Sequence, residues 1–221
     1  MSLPRLSVLY EDNHLLVVNK PALLPTQGAA PGEESLCDLA KSYLKEKFNK
    51  PGNVYLGVVS RLDSFVSGAI VLARTSKAAA RLNEQFSSGE VEKIYWAILE
   101  RPPAPPAGHC EDRIYKDDEA QRMRVAPLTS DLGQIARLNY ETLKAIDRGI
   151  LVEVKLETGR KHQIRLQFSS RGWPIVGDRK YGARSSFPEG IALHSKRLSI
   201  RHPVTRETLT FDAPFPAWWP K

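Results

Sequence analysis

One carboxylate, Asp63, follows Arg61 by two residues and opens onto the apolar run of "SRLDSFVSGAIVLARTS". A carboxylate beside a guanidinium at the edge of a buried strand is a candidate nucleophile or acid-base group. The same tripeptide also describes a solvated acid paired with its neighbour, which is the commoner case. Other chemistry finds less footing. Cys37 and Cys110 sit in no paired spacing that would hold zinc or a disulfide framework. His14, His109, His162, His194 and His202 are scattered without ligand spacing, and there is no Gly-x-Ser-x-Gly elbow. Gly159, Gly172, Gly177 and Gly182 match neither a phosphate loop nor a dinucleotide fingerprint. No metal and no cofactor is expected.

A second feature is the segment "TGRKHQIRLQFSSRGWPIVGDRKYGAR", in which Arg160, Lys161, Arg165, Arg171, Arg179, Lys180 and Arg184 meet a single acid, Asp178. That local excess nearly equals the formal charge of +7 carried by all 221 residues. With Trp173 and Tyr181 among them, these cations suit phosphate contacts beside stacking surfaces. A solvated Arg-rich loop fits the composition equally well. His162, inside the cluster, reads as a structural hydrogen-bonder before a catalytic base.

The elements that must position these groups follow from periodicity. "SVLYEDNHLLVVNKP" predicts two strands around Asp12 and Asn13, and "SLCDLAKSYLKEKF" an amphipathic helix capped by Ser35. "SGAIVLART" predicts a buried strand, "SKAAARLNEQFSSG" a helix with Ala79, Leu82 and Phe86 on one face, and "VEKIYWAILE" a strand. "ERPPAPPAGH" (residues 100–109) reads as a Pro-rich loop. Further strands are expected over "ARLNYETLKAI", "GILVEVKLET", "IALHSKRLSI" and "ETLTFDA", with a helix over "HQIRLQFSSRG". Strands with a few helices and no regular βα alternation predict an α+β fold built on a mixed, largely antiparallel central sheet with flanking helices and loops. Apolar runs fall short of a membrane span and no signal peptide opens the chain, so a cytoplasmic location is expected.

Several separated motifs together resemble the RluA-type RNA pseudouridine synthases. "LLVVNKPALLPTQG" resembles the first family motif, with Lys20 and Pro21 in place, and "SRLDSFVSGAIVLARTS" the Arg-Leu-Asp motif. "EKIYWAIL" is similar to the Lys-x-Tyr-x-Ala segment, "LETGRKHQIRLQFSSRGWPIVGDRKYG" to the late Thr-Gly-Arg block, and "IALHSKRLSIRHPVTRETLTFDAPFP" to the closing strands. The resemblance runs nearly end to end. It departs at Ser60, Val66 and Leu23, where relatives often carry His, Thr and Gly.

The resemblance implies the pseudouridine synthase catalytic fold as a single domain over 1–221, without the N-terminal RNA-binding domain that relatives often carry. It implies that Asp63 is catalytic, that Tyr95 lies against the target uracil, and that Arg165 pairs with Asp63. Arg61, Lys20, Arg160, Lys161, His162, Arg179 and Lys180 would hold the RNA, ribosomal or transfer, bound by a monomer. An ionised carboxylate in a partly buried pocket needs a cationic partner, and a stacked uridine must be flipped onto an aromatic platform. Whether Asp63 attacks the sugar, attacks the base or assists elimination stays open at this level, as does the acceptor of the carbon 5 proton. A non-catalytic RNA-binding protein or chaperone is the alternative. A hydrolytic glycosidase would need a second acid opposite Asp63, and no spacing singles one out.

Overall fold

The computed structural model describes residues 6–220, which form two compact units. One comprises residues up to Glu92 together with Ser195–Pro216, the other Lys93–His194 together with the residues from Ala217. The fold is α+β, a mixed and mostly antiparallel sheet with three helices. No helix among the described residues is long and apolar enough to cross a membrane.

The first unit carries β1 (Val8–Glu11), β2 (Leu15–Lys20), α1 (Leu36–Lys47), β3 (Gly57–Val58), β4 (Ser67–Ala73) and α2 (Ser76–Ser88). Continuous apolar runs mark strands covered on both faces, and every residue of β4 is buried. β2 pairs antiparallel with β4 from Leu15 opposite Ala73 to Lys20 opposite Gly68. That register sets the end of β2 beside the loop that enters β4. α1 starts as its sequence predicts: the Ser35 side chain accepts from Asp38 N while the Asp38 carboxylate accepts from Ser35 N, a capping box. α2 begins at Thr75 and stops at Gly89, whose φ of 80° is the left-handed conformation glycine adopts without strain. Leu15, Val17, Val71, Leu82, Leu198 and Phe211 form its core.

Gly68 is fixed by close approach. A Cβ there would lie 2.3 Å from the carbonyl oxygen of Ser195, and φ is +116°. Only glycine lets these two backbones meet, and the Ser195 hydroxyl then donates to the Ala69 carbonyl at 3.0 Å.

The second unit holds β5 (Glu92–Leu99), β6 (Ala107–Asp117), β7 (Arg122–Ala126), β8 (Gln134–Ile146), β9 (Gly149–Leu156), α3 (Gln163–Ser170) and a 3-10 turn at Arg179–Tyr181. The strands run in the order β5-β9-β8-β6-β7, each antiparallel to its neighbours in that order. Ile114, Met123, Ala136, Leu166 and Tyr181 pack together beneath α3 and the β6–β7 hairpin. The predicted Pro-rich loop is shorter than residues 100–109, because β6 begins at Ala107. The hairpin itself went unpredicted: "DRIYKDDEAQRMR" is dense in residues that disfavour strands, and its pairing to β8 supplies what propensity lacks. The chain closes with β10 (Leu193–Arg201) and β11 (Thr208–Asp212), paired antiparallel.

Candidate active site

In the first unit the segment Arg61–Ser64 is held at two points on either side of Asp63. Thr26 Oγ1 donates to the Leu62 carbonyl at 2.8 Å and accepts from Leu62 N at 3.2 Å. The Lys20 ammonium donates to the carbonyls of Ser64 at 3.2 Å, Pro21 at 2.8 Å and Leu24 at 2.6 Å. Val66 N closes a turn onto the Asp63 carbonyl at 3.1 Å. The half-buried Asp63 is thus carried on a backbone restrained on both sides. Arg61 is exposed beside it.

Lys20 was expected to touch RNA. It is instead fully buried, and its ammonium hydrogens match three backbone carbonyls. Its work is to tie the loop after β2 to the loop carrying Asp63. Burial pushes the ammonium down to about 7 from its usual 10.5, and the Asp63 carboxylate pulls it back up. Lys20→Met should therefore cost about 2 to 3 kcal/mol, since carbonyls are left without donors. There is a pH signature as well. Below about 7 both folded and unfolded chains hold the proton; between about 7 and 10.5 only the unfolded chain does, so stability rises with pH across that window. Urea unfolding across the window should show this slope in the wild type and a flatter one in Lys20→Met.

In the second unit, Arg165 projects from α3 into a buried fork. Its Nε and Nη2 donate to the two carboxylate oxygens of Asp178 at 2.7 and 2.8 Å, with both side chains almost wholly buried. Its guanidinium also lies over the Tyr181 ring, 5.0 Å from the centroid. The turn ahead of α3 is locked by one glutamine: Gln163 Oε1 accepts from Thr158 Oγ1 and Arg160 N, while Gln163 Nε2 donates to the Arg137 carbonyl. His162 sits at the start of the helix with φ of 54° and its Nδ1 2.8 Å from the Tyr181 hydroxyl. On β5, Tyr95 is half-buried and shares a face with Lys93, two residues earlier. Burial lowers the Lys93 pKa, and the charge of Arg160 lowers it further.

The cationic segment thus divides. Arg165 pairs with Asp178 and Arg171 with Asp112, each at 2.7 Å. Arg160, Lys161, Arg179, Lys180 and Arg184 are exposed. Lys180 Nζ donates to the Gln121 carbonyl at 2.9 Å. Thr26, Gln163 and Asp178 were not singled out from sequence as parts of the site; Thr26 and Asp178 act through Leu62 and Arg165, partners distant in the chain.

A fold of this kind is found in solved pseudouridine synthases. The structure named Human RNA Pseudouridylate Synthase Domain Containing 4 superposes with a TM-score of 0.80 at 27% identity, over 96% of this chain and 90% of that one. The model of the RNA pseudouridylate synthase family matches residues 14–170. The chain belongs to that family, and it is an isomerase that acts on RNA. Its relatives include the uncharacterized RNA pseudouridine synthase YhcT of Bacillus subtilis, 36% identical over 96% of this chain and 69% of that protein. The ribosomal large subunit pseudouridine synthase D of Zymomonas mobilis is 32% identical over 96% of this chain and 69% of its own length. The RluA-type resemblance read from the motifs and the α+β expectation both hold.

Proposed function

We propose that the chain converts uridine to pseudouridine in ribosomal RNA of the large subunit, with Asp63 as the catalytic carboxylate. The clamp on either side of Asp63, made by Thr26 and Lys20, is the observation that carries this reading. A loop pinned at the residues before and after one carboxylate is arranged for chemistry at that side chain, and a surface acid needs no such support. Arg165 serves as the counter-charge of Asp63, and its buried seat on Asp178 supports that role by fixing the direction of the guanidinium. Tyr95 takes the face of the extruded uracil. Arg61, Arg160, Lys161, His162, Arg179 and Lys180 hold the RNA strand, and their exposure or half-exposure supports this. The family match spans residues of both compact units, which supports their working as one catalytic domain. The protein acts as a cytoplasmic monomer.

In the reaction, the bond from ribose C1′ to uracil N1 breaks, a bond from C1′ to C5 forms, and the C5 proton is lost while N1 gains one. Atoms balance without an added reactant. Ribosomal RNA is preferred over transfer RNA because relatives named for the ribosomal large subunit recur, in Zymomonas mobilis, Pseudomonas aeruginosa and Rickettsia typhi. The test is to map pseudouridine in ribosomal and transfer RNA from cells with and without the gene. A large-subunit site that vanishes with the gene is the expected result. A lost site confined to transfer RNA would overturn the substrate, and no lost site in any RNA would favour the RNA-binding alternative.

A further inference from the structure

Tyr181 is buried, and three groups of its own unit converge on it. Its hydroxyl accepts the backbone N–H of Met123 at 3.2 Å and lies 2.8 Å from Nδ1 of His162, whose ring meets the Tyr181 ring edge-on. Its ring carries the Arg165 guanidinium at 5.0 Å. A phenol has one hydrogen to give. The hydroxyl can accept the Met123 N–H and still give that hydrogen, and a hydrogen passed to Nδ1 of His162 leaves the imidazole proton on Nε2. The backbone agrees with a special placement: His162 adopts a left-handed φ of 54° and makes no side-chain cap bond to the helix it precedes. A non-glycine residue held in that region is strained and persists where its surroundings over-determine it.

We propose that Tyr181 is a positioning residue serving binding and turnover together: its hydroxyl keeps His162 in the Nε2–H form, a donor to a phosphate oxygen of the RNA, and its ring seats Arg165. The phosphate is indicated by the exposed Lys161, Arg160, Arg179 and Lys180 around the same turn, since an anionic acceptor is what such a surface gathers. The Met123 N–H belongs to β7, and Lys180 also grips the Gln121 carbonyl at the tip of that hairpin. One side chain therefore joins the hairpin, the histidine and the arginine. The turnover half rests on the reading of Arg165 given above.

The test uses the full chain, a labelled stem-loop of large-subunit RNA for Kd, and the same RNA for kcat and KM. Tyr181→Phe keeps the ring and loses the hydroxyl, so Kd and KM should rise about fivefold, more than kcat falls. In a His162→Ala background, Tyr181→Phe should add little further loss, because the two act as one unit. Tyr181→Leu removes the ring as well and should lower kcat well below that of Tyr181→Phe. Additive losses in the cycle, or a Tyr181→Phe protein with wild-type Kd, overturn the histidine half. Equal kcat for the Phe and Leu variants overturns the arginine half. A wild-type chain that forms no pseudouridine overturns the catalytic reading and the turnover half with it, while the Kd cycle still decides the role of His162.

Discussion

Asp63→Asn is expected to lower pseudouridine formation at least about 10⁴-fold, about 5 kcal/mol in the barrier, while the protein still folds and binds RNA. Asparagine keeps the size and planar shape of the side chain and removes the charge and nucleophilicity. The restraints on the loop use the backbone carbonyls of Leu62 and Ser64, so they survive the change. A second readout follows from the buried ammonium nearby. The Asp63 carboxylate opposes the burial that lowers Lys20, so in Asp63→Asn the Lys20 pKa should drop below about 7. An NMR titration of the Lys20 Cε resonance in both proteins measures it. Undiminished product from the purified variant would remove Asp63 from the mechanism. An unmoved Lys20 titration would show that the two charges do not feel one another.

How far these groups could be read from sequence depends on how local their reasons are. The capping box at Ser35 and Asp38 and the Gly89 stop are contacts within one turn of helix, and the sequence shows them. β4 declares itself because a strand buried on both faces needs an unbroken apolar run. The β6–β7 hairpin does not, since its stability comes from pairing with β8 and from Met123 reaching Tyr181, partners distant in the chain. Charge misleads in the same way. A lysine in a motif reads as a surface cation, yet Lys20 ends β2 and is carried into the interior by the pairing of that strand with β4. Asp178 reads as a diluted acid among arginines. It is the anchor of Arg165, thirteen residues away, through a fork that only folding assembles. The motifs around Asp63 were legible by family resemblance; the clamp that gives them physical meaning, from Thr26 to Leu62 and from Lys20 to Ser64, was not.

Breaking that fork should have the largest effect on stability. Asp178→Ala leaves a buried guanidinium without its bidentate acceptor, and a loss of about 3 to 5 kcal/mol is expected; Arg165→Met leaves the Asp178 carboxylate equally stranded and should cost a similar amount. Both side chains are nearly inaccessible, so water cannot replace the missing partner. Replacing the pair together, Arg165→Met with Asp178→Val, removes both charges from the interior, and urea unfolding should return to within about 1 kcal/mol of the wild type. Turnover should not return with it. If Arg165 stabilises the charge of Asp63 during reaction, the double variant stays at least about a hundredfold slower in single-turnover assays, since methionine supplies no positive charge. The comparison separates two roles that any single substitution confounds. A double variant that regains wild-type turnover along with its stability would make Arg165 a structural cation alone, and Asp63 would need its counter-charge from another residue.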